Sequence, residues 1–496
     1  MGVDDDKDTP GSEPESTPRE SALLKQRSLG PGLHDVPELG YKSSFKRFLH
    51  HDMVGSVFLL LAAAAAVIIA NSPFADQYHE FWEYEFGLAL GDDGGFKKTM
   101  HHWVNDGLMA IFFFLVGLEI KRELLAGELH SVRKALLPAA AAVGGMIVPA
   151  LLFMMLNRGE ASGVGWGIPM ATDIAFAAGC VALLKKWVPT SLMVFLVALA
   201  IVDDLGAVTV IALFYTDQIA FGPLVVGGSL IVLSFCLGQL GVRTTFPYVI
   251  IGIIVWFAFL QSGVHATIAG VLFAFTIPEK ARYHTHNFHG RVTELLSRFD
   301  HAEKLWDDDL NVVESDIKDL MVNNQQQHLI REMHQECGYV ESPLQRIEHN
   351  IEPFCVFIIM PIFAFANAGV HLELDHFGEM MTHPLTLGIL LGLVIGKPLG
   401  IFLACFITVK LGLAALPRGV TWPQLLSVSC LAGIGFTMSL FVNELAFMGV
   451  EGELREELIA SGKIGIFLAS IIAAVVGLVA LRLTCRTPQN VSGGHH

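Results

Sequence analysis

Long apolar runs alternate with short polar stretches from residue 53 to residue 484. Roughly 20 apolar residues at about 1.5 Å rise cover about 30 Å of hydrocarbon, so each such run predicts a membrane-crossing helix. Hydropathy places about twelve, centred near residues 62, 112, 146, 176, 202, 231, 253, 270, 360, 396, 434 and 471. The one near 270 is short and holds His265 and Thr267. The predicted fold is an all-α polytopic membrane protein. A polar, acidic tail over 1–45 reads as disordered. Spans one to eight occupy 46–278, a polar insertion 279–349, spans nine to twelve 350–484, and a short tail 485–496.

Two short runs around Asp92-Asp93-Gly94-Gly95 predict a small extramembrane β-hairpin near 81–98. The insertion contains amphipathic stretches and reads as peripheral, helical or disordered.

Basic residues fix the expected orientation. Lys121, Arg122, Arg133, Lys134, Lys185, Lys186, Arg243, Lys280, Arg282, Lys410, Arg418, Arg482 and Arg486 fall in one set of connections. The opposite set holds Lys97, Lys98, Arg158, Arg455 and Lys463. By the positive-inside rule both termini are cytoplasmic and the hairpin is outside.

Gly, Pro and Thr interrupt two spans, at GWGIPMATDIAFAAG (165–179) in the fourth and CLAGIGFTMSLFV (430–442) in the eleventh. Each is the second member of a set of three spans, and the sets have opposite orientation. That pattern predicts inverted repeats with two crossed discontinuous helices at a binding site, although ordinary kinks give the same residues. Crossed breaks bring together two partly positive and two partly negative helix ends. Asp173 lies inside the first break. Lys397, midway along the tenth span, is the candidate cation, against the alternative of a side chain reaching to the interface.

Composition then narrows the chemistry. The chain is 53% hydrophobic and 16% charged, against about 25% charged for a soluble domain. A net charge of −16 gives no reason to expect nucleic-acid binding. Seven separated cysteines indicate neither a disulfide framework nor a zinc site, and no cofactor is expected. Asp203 and Asp204 stand together inside SLMVFLVALAIVDDLGAVTVIALFY. Carboxylates at membrane depth mark ion or proton pathways. Two adjacent ones repel when both are ionised, which suits a cation that competes with protons.

ATDIAFA (171–177), ALAIVDDLGAV (198–208), SGVHATIAGV (262–271), FAFANAGV (363–370), GKPLGI (396–401) and GIGFTMSLF (433–441) closely resemble the bacterial NhaA-type Na⁺/H⁺ antiporters. The resemblance covers about 45–484 apart from the insertion. It implies electrogenic, pH-regulated exchange of protons for intracellular Na⁺, and Li⁺, by alternating access in the bacterial inner membrane. Asp204 matches the cation-binding carboxylate, and Asp203 its partner, linked to the lysine matched by Lys397. Thr172 and Asp173 match residues at the helix crossing. Glu119, Arg122, Glu123, Glu348, His349 and His265 match residues tied to pH response. The hairpin resembles the element through which members form homodimers. The chain departs in its acidic tail, its longer insertion, and IEHNIEP (347–353), where Glu352 replaces a common histidine.

Other classes fit less well. An intramembrane aspartyl protease needs carboxylates facing one peptide, whereas neighbours on one helix point about 100° apart. A sodium-coupled symporter or a passive cation channel shares the broken-helix logic, but the acid pair with Lys397 favours proton exchange. No Walker A loop supports ATP-driven pumping.

Overall fold

The computed structural model describes residues 41–88, 96–216, 219–281, 285–309, 324–371 and 377–485. The acidic tail to residue 40, the hairpin tip with Asp92-Asp93-Gly94-Gly95, and the tail 486–496 lie outside the described residues. The described chain is almost entirely helical.

Helix α1 (Tyr41–Ala70) ends at a turn, and its apolar part, Val54–Ala70, meets α2 (Ala75–Glu83) at a bend of 114°. Strands β1 (Glu85–Leu88) and β2 (Phe96–Thr99) pair antiparallel, with Glu85 opposite Thr99 and Leu88 opposite Phe96. Thr99 caps the next helix by accepting from the His102 N–H at 3.2 Å. That helix is α3 (Met100–Ala126), followed by α4 (Val132–Leu156). A 3₁₀ segment, Ala161–Met170, leads into α5 (Ile174–Leu183). Helices α6 (Thr190–Phe214), α7 (Phe221–Gln239) and α8 (Thr245–Ser262) follow, and Gly263, at φ +79°, ends α8 before the short α9 (Ala266–Ala274).

The insertion contributes α10 (Thr285–Asp309) and α11 (Asn324–Val340). They pack through Leu295, Leu329, Phe299 and Met333, with Arg291 paired to Glu336 and Arg298 to Glu332. Helix α12 (Pro343–Asn367) starts ahead of the expected ninth-span boundary near 350. Ser342 and Gln345 form a capping box there, and Pro343 suits the first turn. After α13 (Phe377–Thr382) come α14 (Pro384–Lys410), α15 (Trp422–Ala432), α16 (Phe436–Ala446) and α17 (Glu453–Thr484).

Eight of these helices are long and apolar enough to cross a membrane, and eleven segments are if each bent pair is one span. Both interrupted segments are bent pairs, by 43° at Met170–Ile174 and by 47° at Ala432–Phe436. Large apolar side chains point outward along α1, α7 and α8, among them Phe58, Leu61, Val225, Phe246 and Ile253. A hydrocarbon surround removes the penalty for that exposure.

Two sets of helices pack internally. In one, α4 packs on α6, α14 and the 3₁₀ segment, while α17 packs on α14, α15 and α16. In the other, α3 packs on α9 and α12, and α8 on α7 and α9, around Leu118, Tyr248, Val255, Phe273 and Ile347. Three long helices contain a π-helical turn: Trp103–Leu108 in α3, Cys355–Ile359 in α12 and Gly392–Gly396 in α14.

The structure corrects one reading of the charges. Arg455 and Lys463, assigned from hydropathy to an outer loop, both lie in α17. Lys463 is buried and pairs with Glu444 at 3.2 Å. A hydropathy window stops at such charges because it cannot see the partner that permits their burial.

Candidate functional site

The two breaks lie against each other. The Asp173 N–H donates to the Ile434 carbonyl at 2.7 Å, and the Thr172 hydroxyl donates to the Ala432 carbonyl at 2.9 Å. Gly433, in the second break, also lets it approach the π turn of α14, since a Cβ there would stand 2.4 Å from the Leu393 carbonyl oxygen.

One carboxylate serves both helix starts. Asp173 caps α5 by accepting from the Phe176 N–H at 3.0 Å. Its other oxygen accepts from the Thr437 N–H at 3.1 Å and the Thr437 hydroxyl at 2.5 Å, at the start of α16. Each N-terminus presents unpaired N–H groups with a partial positive charge, so a carboxylate stabilises both. Sequence reasoning named Thr172 and Asp173 but missed Thr437. The available signal was a threonine at the first turn after a Gly-x-Gly break.

The helix ends on the other side are satisfied unequally. Lys397 donates to the Met170 carbonyl, which closes the 3₁₀ segment. The Ala432 carbonyl, at the end of α15, takes the neutral Thr172 hydroxyl instead. The same ammonium donates to Asp203 Oδ2 at 2.6 Å. Lys397 and Asp203 are each 1% exposed and Asp204 2%. All three sit midway along their helices, with Lys397 directly after the π turn Gly392–Gly396. Such turns redirect side chains and recur at functional sites. The Oδ1 atoms of Asp203 and Asp204 have no hydrogen-bond partner among the described residues. No trio of His, Cys, Asp or Glu converges as a metal cluster among those residues. A cation here would meet one or two carboxylates, the charged oxygen donors that a hard ion prefers.

The proposed pH-response residues separate into two places. On α3 and α12, Arg122 donates to Glu348 and lies 3.5 Å from Glu123. Glu123 in turn accepts from the Glu128 N–H at 3.0 Å. Glu119, one turn back along α3, is within electrostatic range of both Arg122 and Asp204, and Glu352 also acts on Arg122. His349 is exposed. His265 lies elsewhere, at the start of α9, with Nε2 donating to the Tyr215 carbonyl at 2.9 Å. The Tyr215 hydroxyl accepts from the Gly167 N–H and donates to the Val164 carbonyl. Beyond α9, Lys121 donates to the Phe275 and Ile277 carbonyls and pairs with Glu279 at 3.3 Å. Partial burial of Glu279 opposes its ionisation, but its own backbone N–H and Lys121 hold it below the usual carboxylate range.

Residues 46–481 match the family model described as Na⁺/H⁺ antiporter 1. The chain is 44% identical to Na⁺/H⁺ antiporter NhaA 1 of Saccharophagus degradans over 437 residues, 88% of this chain and 90% of the relative. It is 44% identical to Na⁺/H⁺ antiporter NhaA 2 of Syntrophotalea carbinolica over 440 residues, 89% and 96% of the two chains. With Na⁺/H⁺ antiporter NhaA of Helicobacter pylori strain HPAG1 the identity is 42% over 439 residues, covering 88% and 95%.

Proposed function

The chain belongs to the Na⁺/H⁺ antiporter 1 family and is a multi-pass Na⁺/H⁺ antiporter, and from that premise we propose that Asp204 is the carboxylate that Na⁺ and H⁺ occupy in turn. The observation that carries this assignment is the 2.6 Å contact between Lys397 and Asp203 Oδ2. It commits Asp203 to a counter-ion and leaves Asp204 beside it for the transported ion. Li⁺ is equally a hard cation and suits the same oxygens. Thr172 and Asp173 hold the two breaks together, so the helix ends near the site are fixed as ions exchange.

In this reading the helices form twelve spans, with Ala266–Ala274 as the short eighth, and the fourth and eleventh cross at their breaks. Both termini are cytoplasmic, as the basic connections suggest, and the membrane is taken to be the bacterial inner membrane. The Glu119, Arg122, Glu123, Glu348 and His349 group, with His265 apart from it, sets the response to pH. Exchange is electrogenic, so an imposed membrane potential should change its rate. The hairpin is the contact between two copies.

The test is purified protein in sealed liposomes, with Na⁺-driven dissipation of a pH gradient as the readout. Wild-type protein should dissipate it and Asp204→Asn should not, while keeping its melting temperature. Near-wild-type exchange by that variant would overturn the assignment. Sodium moving in the same direction as protons would instead indicate symport.

A further inference from the structure

A second buried charge arrangement lies apart from the carboxylate pair. Glu444, near the end of α16, is 6% exposed and pairs with Lys463 at 3.2 Å and Arg455 at 3.7 Å, both on α17. A buried carboxylate with two cations is costly to assemble, and nothing in the Asp203–Lys397 geometry requires it.

The position of the group relative to the two helix sets suggests a use. Helices α16 and α17 belong to the set that carries the breaks. Facing them, in the set built on α3 and α12, is a neutral network. His101 Nε2 is 3.1 Å from Asn367 Oδ1, and the Asn105 and Asn367 side-chain amides bond to each other at 2.9 and 3.3 Å. Glu444, Lys463 and Arg455 all lie within electrostatic range of His101. His101 follows β2 almost directly, so the arrangement sits on the hairpin side of the protein. One turn before Glu444, the Phe441 ring lies between Phe113 of α3, at 5.4 Å, and Phe363 of α12, at 6.1 Å. The seam between the two sets is therefore apolar at the three rings and polar just beyond them.

We propose that Glu444 is a positioning residue for alternating access. With Lys463 and Arg455 it forms the charged half of a latch that holds α16 against the His101–Asn105–Asn367 network and keeps the hairpin-side seam shut. Alternating access rocks one helix bundle against another around a fixed site, so a contact spanning the two sets must break when that side opens. The proposal rests on the antiport reading only through the need for such an opening.

The experiment uses the full chain with its seven native cysteines replaced and Phe363→Cys as a reporter inside the seam. A membrane-impermeant thiol reagent is applied from either side of sealed vesicles. Glu444→Gln alone leaves Lys463 without its carboxylate and threatens folding, so Glu444→Gln with Lys463→Gln removes both charges, a change buried pairs often tolerate. Labelling from the hairpin side should rise about tenfold, a typical size for coupling between two states, and labelling from the insertion side should stay constant. His101→Ala, on the opposite face, should accelerate hairpin-side labelling alone. Combined with the double substitution it should add little, because both release one latch. No acceleration from the hairpin side, or an equal rise on both sides, would overturn the latch. Na⁺/H⁺ exchange by the parent protein in the same vesicles separately tests the antiport reading.

Discussion

Lys397 donates to Asp203 at 2.6 Å, and the two residues are each 1% exposed although 194 positions separate them in the chain. The pair joins α6 to α14, and through the Met170 carbonyl it also joins both to the first break. The adjacent acids are thus chemically unequal. One accepts directly from a buried ammonium, and the other stands next to it without that contact.

Lys397→Ala should destabilise the protein by about 3–5 kcal/mol, the usual cost of leaving one member of a buried ion pair behind. Combining it with Asp203→Asn should recover a large part of that loss, because the stranded charge is then gone. Thermal unfolding in detergent checks both. Equal melting temperatures for wild type and Lys397→Ala would remove the structural role.

Gly400→Val should impair folding. A Cβ at Gly400 would lie 2.1 Å from the Gly144 carbonyl oxygen, and one at Gly144 would lie 2.3 Å from that of Gly400, so α4 and α14 touch backbone to backbone. Overpacking of this kind costs about 1–3 kcal/mol or more, and a backbone neighbour cannot swing aside. Gly222→Ala, where a Cβ meets nothing within 4 Å, is the control. Comparable melting temperatures for Gly400→Val and that control would show that the helices can separate freely.

Deletion of residues 85–98 should weaken dimers while leaving exchange in place. Both strands have an edge available to another chain, and edge strands pair readily. The hairpin is tied to α3 through the Trp103 indole, which donates to the Phe86 carbonyl at 2.8 Å, and this bond is remote from the carboxylates in sequence. Cross-linking before and after deletion measures the effect. An undiminished dimer places the contact elsewhere.

If Na⁺ and H⁺ share Asp204, adding Na⁺ should release protons. Over the pH range where the carboxylate is protonated, apparent Na⁺ affinity should fall about tenfold for each unit of acidification per proton displaced, since linkage between two ligands is reciprocal. Calorimetric titration in two buffers of different ionisation enthalpy counts the protons. A sodium-binding heat independent of the buffer would exclude competition at one site.

Much of the site was legible because its signals are local. An acid pair in an apolar run is conspicuous, and Gly, Pro and Thr in the middle of a span mark a break by backbone chemistry alone. The hairpin strands were visible for the same reason. Features that depend on distant partners were not. Lys463 read as a loop charge and Glu444 drew no notice, because each is buried only in the company of the other. Thr437 gained significance only once Asp173 was seen to reach it. Hydropathy also cannot separate α from π geometry, since both bury the same side chains, so none of the three π turns was foreseen. Nor can it decide whether the nine residues of Ala266–Ala274 amount to a crossing.

The π turn at Gly392–Gly396 makes the ion pair depend on a count as well as on residue identity. A π turn accommodates one residue more than the α-helix it interrupts, and each α-helical residue advances the bearing by about 100°. Wound as an uninterrupted α-helix from Pro384, the chain would bring Gly396 to the bearing that Lys397 now holds. The ammonium would then point about 100° away from Asp203. Its aim is set by one surplus residue in a glycine-bounded stretch, a specification written in chain length that no single side chain carries.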